Sequence, residues 1–465
     1  MSSWVPDAIF YAVLPDRLEP PRPEELAGYA GDAFETWDEP PGNRSYKGGT
    51  LRGVVQHLDR LVDLGITALY LTPVHASPSY HRYKPLDLAQ VDPRLGGDEA
   101  FDALVRAAHA RGLRVVLDLV VNHLGIGALP FADVIECGAR SPYRDWFHLH
   151  GFPVAPWGSP PNYRCWNGNP TMPVLNHKNP AVRAHVVGAA EAWARRGVDG
   201  LRLDAAGEID TPELFDELRA ATRRVDPDFY LIGETWNDAS AGLDGRKWDG
   251  ATNYPFHFAV RELCGGGRLD PAHAHPGSLR PGGIDAVEYA RRITELLARH
   301  PTYHTQRQLN FIDGHDVARL ITVAGGDAAT VELAALLLFT FPGAPCIYYG
   351  QEVGLAGGMP PDSRRGFPPG HAWDPAALAL HRGLIALRRA HPALRTGEYR
   401  TLHARGAALA FLRRDAAEAL IVAVNAGDTA AVVELDRAAL PPGAPAVRHG
   451  AAALAAPDGR LVLEL

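Results

Sequence analysis

Val182-Arg-Ala-His-Val-Val-Gly-Ala-Ala-Glu-Ala-Trp-Ala-Arg-Arg196, then Gly197, then Leu201-Arg-Leu203 is the stretch from which the architecture is read. The first part has the apolar spacing of an amphipathic helix. A glycine follows where a helix C-terminus needs a left-handed residue, and a short apolar strand comes next. The same unit recurs along the chain. Helical patterns at Leu51–Leu64 and Phe101–Arg111 end at Gly65 and Gly112 and lead into strands at Ala68–Leu71 and Arg114–Leu119. Further strands are expected at Ala8–Leu14, Leu201–Leu203, Phe229–Ile232, Ala251–Tyr254, Leu309–Ile312 and Cys346–Tyr349. Helices are expected at Pro212–Val225, Val287–Arg299 and Val331–Phe339. Eight strands alternating with helices predict an α/β fold with a closed (β/α)8 TIM barrel.

Two segments leave this rhythm. Residues 124–179, after the third strand, are rich in Pro, Gly and aromatics, and are read as an inserted subdomain rather than slack loop. From residue 396 to 465, short alternating runs such as Ala408–Leu412 and Leu420–Val424 predict a C-terminal antiparallel β-sandwich. The expected organisation is therefore a barrel over 1–123 and 180–395, interrupted by 124–179 and followed by 396–465.

Composition narrows the partners. Of 465 residues, 46% are hydrophobic and 22% charged, with a net charge of −8, the balance of a globular protein without the basic face of a nucleic-acid or membrane binder. Cys137, Cys165, Cys264 and Cys346 are scattered and read as small apolar residues rather than a disulfide framework. The run from Leu333 to Tyr349 is broken by Pro342, Gly343 and Pro345, so a helix, a turn and a strand are expected there instead of a membrane span. The first 17 residues lack the apolar core of a signal peptide, and a cytoplasmic location is expected.

The C-terminal ends of barrel strands carry chemistry, and here they are rich in ionisable groups. The third strand runs from Asp118 to Asn122-His123, the fourth gives Arg202-Leu-Asp204-Ala-Ala-Gly-Glu208, the fifth Glu234-Thr-Trp236, and the seventh Asp313-Gly-His315-Asp316. Any one of these clusters reads equally as a structural ion pair. Four at matched strand ends point to a reaction centre. Arg202 and Asp204 are two apart on a strand and face the same side, so the guanidinium keeps Asp204 ionised as a nucleophile requires. Asp204 and Glu234 end neighbouring strands, about 4.8 Å apart, a spacing suited to a retaining glycosidase. Glu234 is expected to start protonated, its pKa raised by nearby negative charge and burial, and to act as general acid. Asp316 is a third carboxylate placed to stabilise positive charge on a sugar ring. His123 and His315 are candidate donors to sugar hydroxyls, although each alone reads as an ordinary buried histidine.

These segments, in this order, resemble the α-amylase family of glycoside hydrolases. The resemblance extends to Lys47-Gly-Gly-Thr-Leu-Arg-Gly53, to Leu64-Gly-Ile-Thr-Ala-Leu-Tyr-Leu-Thr-Pro73 and to Phe341-Pro-Gly-Ala-Pro-Cys-Ile-Tyr-Tyr-Gly-Gln-Glu352, and covers the chain from about Trp4 to His391. It implies Asp204 as nucleophile, Glu234 as acid/base and Asp316 as transition-state stabiliser. Tyr83, His123, Arg202, His315, Trp236 and Arg364 are the implied substrate-binding residues, with the Tyr83 ring beneath the reacting sugar. Met172-Pro-Val-Leu-Asn176, Glu208 and Ser141-Pro-Tyr-Arg-Asp-Trp-Phe147 resemble the neopullulanase, cyclomaltodextrinase and maltogenic amylase branch. The branch implies hydrolysis of α-1,4 bonds in maltooligosaccharides, cyclodextrins or related α-glucans. The alternatives within the resemblance are an α-glucosidase or transglycosylase and, more remotely, a non-catalytic carbohydrate-binding member.

Three departures from that branch stand out: no counterpart of its extra N-terminal domain, Gly314 where asparagine often precedes the His-Asp pair, and Pro360 where an acidic residue precedes Arg364. Glu208 stands where other amylases carry a calcium-site histidine, so no metal and no cofactor are expected, and Asn122 is expected to make structural hydrogen bonds.

Overall fold

The computed structural model describes residues 2–29, 34–42, 45–157, 160–273, 279–280, 282–436, 452–455 and 460–464. Eight strands, β1 (Phe10–Val13), β2 (Ala68–Leu71), β3 (Arg114–Val120), β4 (Gly200–Asp204), β5 (Tyr230–Gly233), β6 (Gly250–Ala251), β7 (Leu309–Phe311) and β8 (Ala344–Tyr348), form one sheet in the order β6-β5-β4-β3-β2-β1-β8-β7. This is the parallel sheet of a (β/α)8 barrel, and nearly every strand residue is buried. A parallel sheet covered on both faces needs continuous apolar runs, which is why these strands show no alternation in sequence.

The residues sort into two compact units: 1–3, 11–252 and 365–367 in one, 4–10, 253–364 and 368–465 in the other. In the first, the helices Leu51–Leu64, Gly97–His109, Pro180–Arg195 and Pro212–Val225 alternate with β2 to β5. Leu51–Leu64 shows the local logic. Thr50 accepts the Gly53 N–H as N-cap, Leu51, Val54, Leu58, Leu61 and Leu64 bury one face, and Gly65 at φ 98 returns its N–H to Leu61 O and Val62 O. Replacing the Thr50 cap by Ala would cost about 1 kcal/mol. Gly112 and Gly197 likewise have φ of 74 and 90.

Among the described residues, the segment 124–179 contains one α-helix, Leu129–Cys137, and three short 3-10 turns, and isolated bridges pair His123 with Val174, Phe147 with Leu175, Leu149 with Tyr163 and Cys165 with Pro173. It has its own small aromatic core: the Phe131 ring lies 4.8 Å from those of Phe147 and Tyr163, both edge-on.

In the second unit, one expected element changes type. The strand predicted over Ala251–Tyr254 ends at Ala251, and a helix runs Tyr254–Gly265. Asn253 caps it by accepting the Phe256 N–H, and Pro255, which has no N–H to contribute to a sheet, suits its first turn. Helices Ala286–Ala298, Ala328–Thr340 and Pro375–Ala390 follow. The chain then enters antiparallel β9 (Glu398–Arg405), β10 (Ala408–Arg414) and β11 (Ala419–Asn425), ordered β11-β10-β9, and β12 (Val432–Asp436), β13 (Ala452–Ala455) and β14 (Arg460–Glu464), ordered β12-β14-β13. Alternate residues Ala408, Ala410 and Leu412 of β10 cluster with Ala419, Ile421, Val433 and Leu435, the interior of a β-sandwich. The remainder of the expected sandwich, residues 437–451, 456–459 and 465, lies outside the described residues.

Cys264 and Cys346 are buried, Cys137 and Cys165 half-buried, and all four are free thiols. Among the described residues no helix is long and apolar enough to cross a membrane.

Candidate active site

The first unit gathers its charged groups where β3, β4 and β5 end. The register pairs Asp118 with Arg202, and Leu203 with Gly233. Asp204 and Glu234 are the residues that follow Leu203 and Gly233, so they sit level on neighbouring strands, and the Glu234 N–H donates to Leu203 O at 3.1 Å. Arg202, side chain only 2% exposed, bridges three carboxylates. Its Nη1 donates to Asp118 Oδ1 and Asp204 Oδ1, both at 2.9 Å, and its Nη2 lies 2.7 Å from Glu234 Oε1. Burial alone would weaken that cation. The carboxylates of Asp118 and Glu234 prevail and hold its pKa well above the usual value.

Asp118 is the anchor of this arrangement. It is fully buried, and its Oδ2 accepts the hydroxyls of both Tyr70 and Tyr83 at 2.7 Å. Two phenols and a guanidinium satisfy the carboxylate, so its charge is compensated in place. The sequence places Asp118 in the third-strand cluster without assigning it a role, and it does not mark Tyr70. The available signal was a tyrosine inside an apolar strand, because a buried phenol needs a partner.

Glu234 is held by several donors. Besides Arg202, its Oε2 accepts the Ala205 N–H at 2.7 Å, and the Trp236 Nε1 lies 3.3 Å from Oε1. Donors therefore reach both of its oxygens. The sequence showed the neighbouring acids but not that Arg202 divides itself between them. Ala205, directly after Asp204, adopts φ 50 and ψ 28, a left-handed conformation that costs an alanine about 1–2 kcal/mol. It turns the Ala205 N–H onto Glu234 and so ties the end of β4 to the end of β5.

His123 is buried, and burial drops its pKa to about 4, so it is a neutral imidazole. Its Nε2 is 2.9 Å from Tyr83 O, and its ring stacks on Trp166 at 5.7 Å and 27°. Trp166, from the inserted segment, donates its indole N–H to Glu208 at 2.9 Å and was also not anticipated. Asn122 accepts the Leu175 N–H at 3.0 Å through its backbone carbonyl, while its side-chain Nδ2 is buried without a hydrogen-bond partner among the described residues. No group of three or more His, Cys, Asp or Glu among the described residues is arranged to hold a metal, and Glu208 is occupied by Trp166.

The second unit holds the remaining predicted residues together. His315 Nε2 is 2.9 Å from Asp316 Oδ2, and Arg364 reaches Asp316 Oδ1 at 3.4 Å while its Nε donates to His315 O at 2.8 Å. Arg364, expected to contact sugars, thus also braces the Asp316 loop. Asp313 accepts the Leu320 N–H at 2.7 Å, and Asp362 accepts the Gly358 N–H at 2.6 Å.

Comparison with known proteins identifies the family. The alpha amylase catalytic-domain family matches residues 13–376. A cyclomaltodextrinase of Geobacillus thermopakistaniensis is 36% identical over 93% of this chain and 71% of its own length. Among solved structures, the Nostoc punctiforme debranching enzyme superposes with a TM-score of 0.91 at 43% identity, covering 100% of this chain and 97% of the other. The cyclic α-maltosyl-(1→6)-maltose hydrolase of Arthrobacter globiformis does so with a TM-score of 0.85 at 34% identity, covering 100% and 99%. Matched over most of its length in sequence and in fold, this chain belongs to the α-amylase family of glycoside hydrolases.

Proposed function

We propose that this protein hydrolyses α-1,4-glucosidic bonds in maltooligosaccharides, cyclodextrins or related α-glucans by double displacement, with retention at the anomeric carbon. The observation that carries this reading is the Arg202 bridge between level carboxylates on adjacent strands, whose axes lie about 4.8 Å apart, a placement that lets the two carboxyl groups take the roughly 5–5.5 Å separation of a retaining glycosidase. Asp204, ionised beside Arg202, attacks the anomeric carbon as the glycosidic bond breaks, and Glu234 protonates the leaving oxygen. Glu234 then takes a proton from water, which attacks the same carbon and releases Asp204. For the first step Glu234 takes up a proton and gives up its contact with Arg202, which leaves the guanidinium to Asp118 and Asp204. Asp316, with His315 and Arg364 on its two oxygens, stabilises positive charge on the ring. Tyr83, His123 and Trp236 contact the sugar. The reaction as written uses only water and calls on no metal or cofactor.

A second reading concerns linkage. The structures that this chain matches almost end to end are named a debranching enzyme and a hydrolase of an α-(1→6)-linked cyclic maltoside, and this favours action on α-1,6 bonds as well. A cytoplasmic location fits a relative named intracellular maltogenic amylase, from Bacillus subtilis.

Products from cyclodextrin, pullulan, starch and maltotriose, run side by side, test both readings. Glucose and maltose from cyclodextrin support the first, maltotriose from pullulan supports the second, and chains longer than maltotriose reveal transglycosylation. A protein inert on all four is a non-catalytic member. Nuclear magnetic resonance of the first-formed product should show the α-anomer, and an initial β-anomer excludes double displacement.

A further inference from the structure

The loop that presents Tyr83 is held by a buried ion pair outside the reaction chemistry. Arg82 sits at φ 61, the left-handed region that residues with a Cβ seldom adopt. Its N–H donates to Ser79 O at 3.1 Å, closing a turn. Its side chain is buried, with Nε 3.0 Å from Asp92 Oδ2 and Nη1 donating to Tyr80 O. Asp92 is fully buried too. Its other oxygen accepts the Arg94 N–H at 3.0 Å, and its own N–H donates to Val74 O at 2.8 Å, three residues beyond β2.

The next residue faces the reacting groups. The Tyr83 hydroxyl donates to Asp118 Oδ2, and its carbonyl is 2.9 Å from His123 Nε2. Because Arg82 is left-handed, its side chain enters the interior while the adjacent Tyr83 reaches the end of β3. An unrestrained arginine would relax to a right-handed or extended backbone, turning the following peptide and carrying the Tyr83 ring away from Asp118. Removing the Asp92 charge takes away the salt bridge at Nε and leaves the buried guanidinium to the Tyr80 carbonyl, the Tyr29 hydroxyl, the Tyr46 ring and the more distant Asp16 charge, a weaker hold that favours that escape.

We propose that Arg82, clamped by Asp92, is a positioning residue that fixes the Tyr83 ring at the sugar-binding face. Asp92 then acts on catalysis only through Tyr83. This rests on the proposed function, in which Tyr83 contacts the sugar.

A double-mutant cycle on the full-length protein tests it, reading kcat, KM and Tm with maltotriose. Asp92→Asn should lower kcat/KM about tenfold, because a ring misplaced by an ångström loses much of its effect. In a Tyr83→Ala background the same substitution should change kcat/KM by less than about twofold while lowering Tm as much as before. Should Asp92→Asn fail to fold, Arg82→Gly/Asp92→Asn removes both buried charges and tolerates the left-handed backbone. That variant should recover Tm yet leave kcat/KM at least about fivefold low. Equal losses of kcat/KM in both backgrounds, or normal kcat/KM in the double variant, overturn the proposal and leave the role of Tyr83 standing. If Tyr83→Ala itself leaves kcat/KM unchanged, the sugar-contact reading is wrong and the positioning role falls with it.

Discussion

Arg202 Nη2 lies 2.7 Å from Glu234 Oε1 while Nη1 of the same side chain lies 2.9 Å from Asp204 Oδ1. A single buried cation therefore touches both partners of the proposed displacement, and a third carboxylate, Asp118, holds it in place.

Asp204→Asn and Glu234→Gln keep the shape of this arrangement and remove only a charge or a proton. Each should reduce kcat by on the order of 10²–10⁴-fold with little change in KM, since the lost interaction acts in the transition state. Steady-state kinetics on maltotriose decides it. Glu234→Gln with a tenth or more of normal activity would remove the acid/base assignment.

Stability should fall in mild acid. Burial holds His75, His123 and His177 at pKa values of about 4, whereas in the unfolded chain each titrates near 6.5. Between those values the unfolded chain binds more protons, so the contribution present at neutral pH is lost as pH drops from about 6.5 towards 4. At pH 5 each histidine should cost the folded state about 2 kcal/mol. Urea unfolding at pH 7 and pH 5 measures this, and equal free energies at both would contradict it.

Chelation of divalent cations should leave activity and Tm nearly unchanged. Glu208 stands where a histidine would ligate calcium, and it accepts the Trp166 indole N–H. A fall in Tm on adding a chelator, reversed by calcium, would show a binding site, because a ligand that prefers the native state raises stability.

Pro360 offers neither a carboxylate nor an N–H to sugars beyond the reacting one. Pro360→Asp should therefore raise kcat/KM on maltohexaose relative to maltotriose, each regained charge-assisted hydrogen bond being worth about 1.5–3 kcal/mol. Asp362 accepts the Gly358 N–H, so Asp362→Ala should loosen its loop and cost only a few-fold in activity. A hundredfold loss in Asp362→Ala would mean that Asp362, not position 360, carries the acidic role.

The sequence by itself determined the barrel and most of its chemical inventory. Helices with one apolar face, glycines placed for left-handed caps and unbroken apolar strands are local patterns, written within a dozen residues. Arg202 and Asp204 share a face because they are two apart on one strand. Where a local choice was ambiguous, as at Ala251–Tyr254, it was misread: an apolar run of four suits strand or helix, and the Asn253 cap with Pro255 chose helix. Only the tertiary structure decided how the charges pair. Asp118 and Arg202 are 84 residues apart, Tyr70 and Asp118 are 48 apart, and Trp166 meets Glu208 across 42. Local periodicity carries no record of such partners. Arg202 also gives Glu234 a donor that local pattern does not show. That outcome depends on distances and burial, which strands acquire only when the sheet brings them side by side.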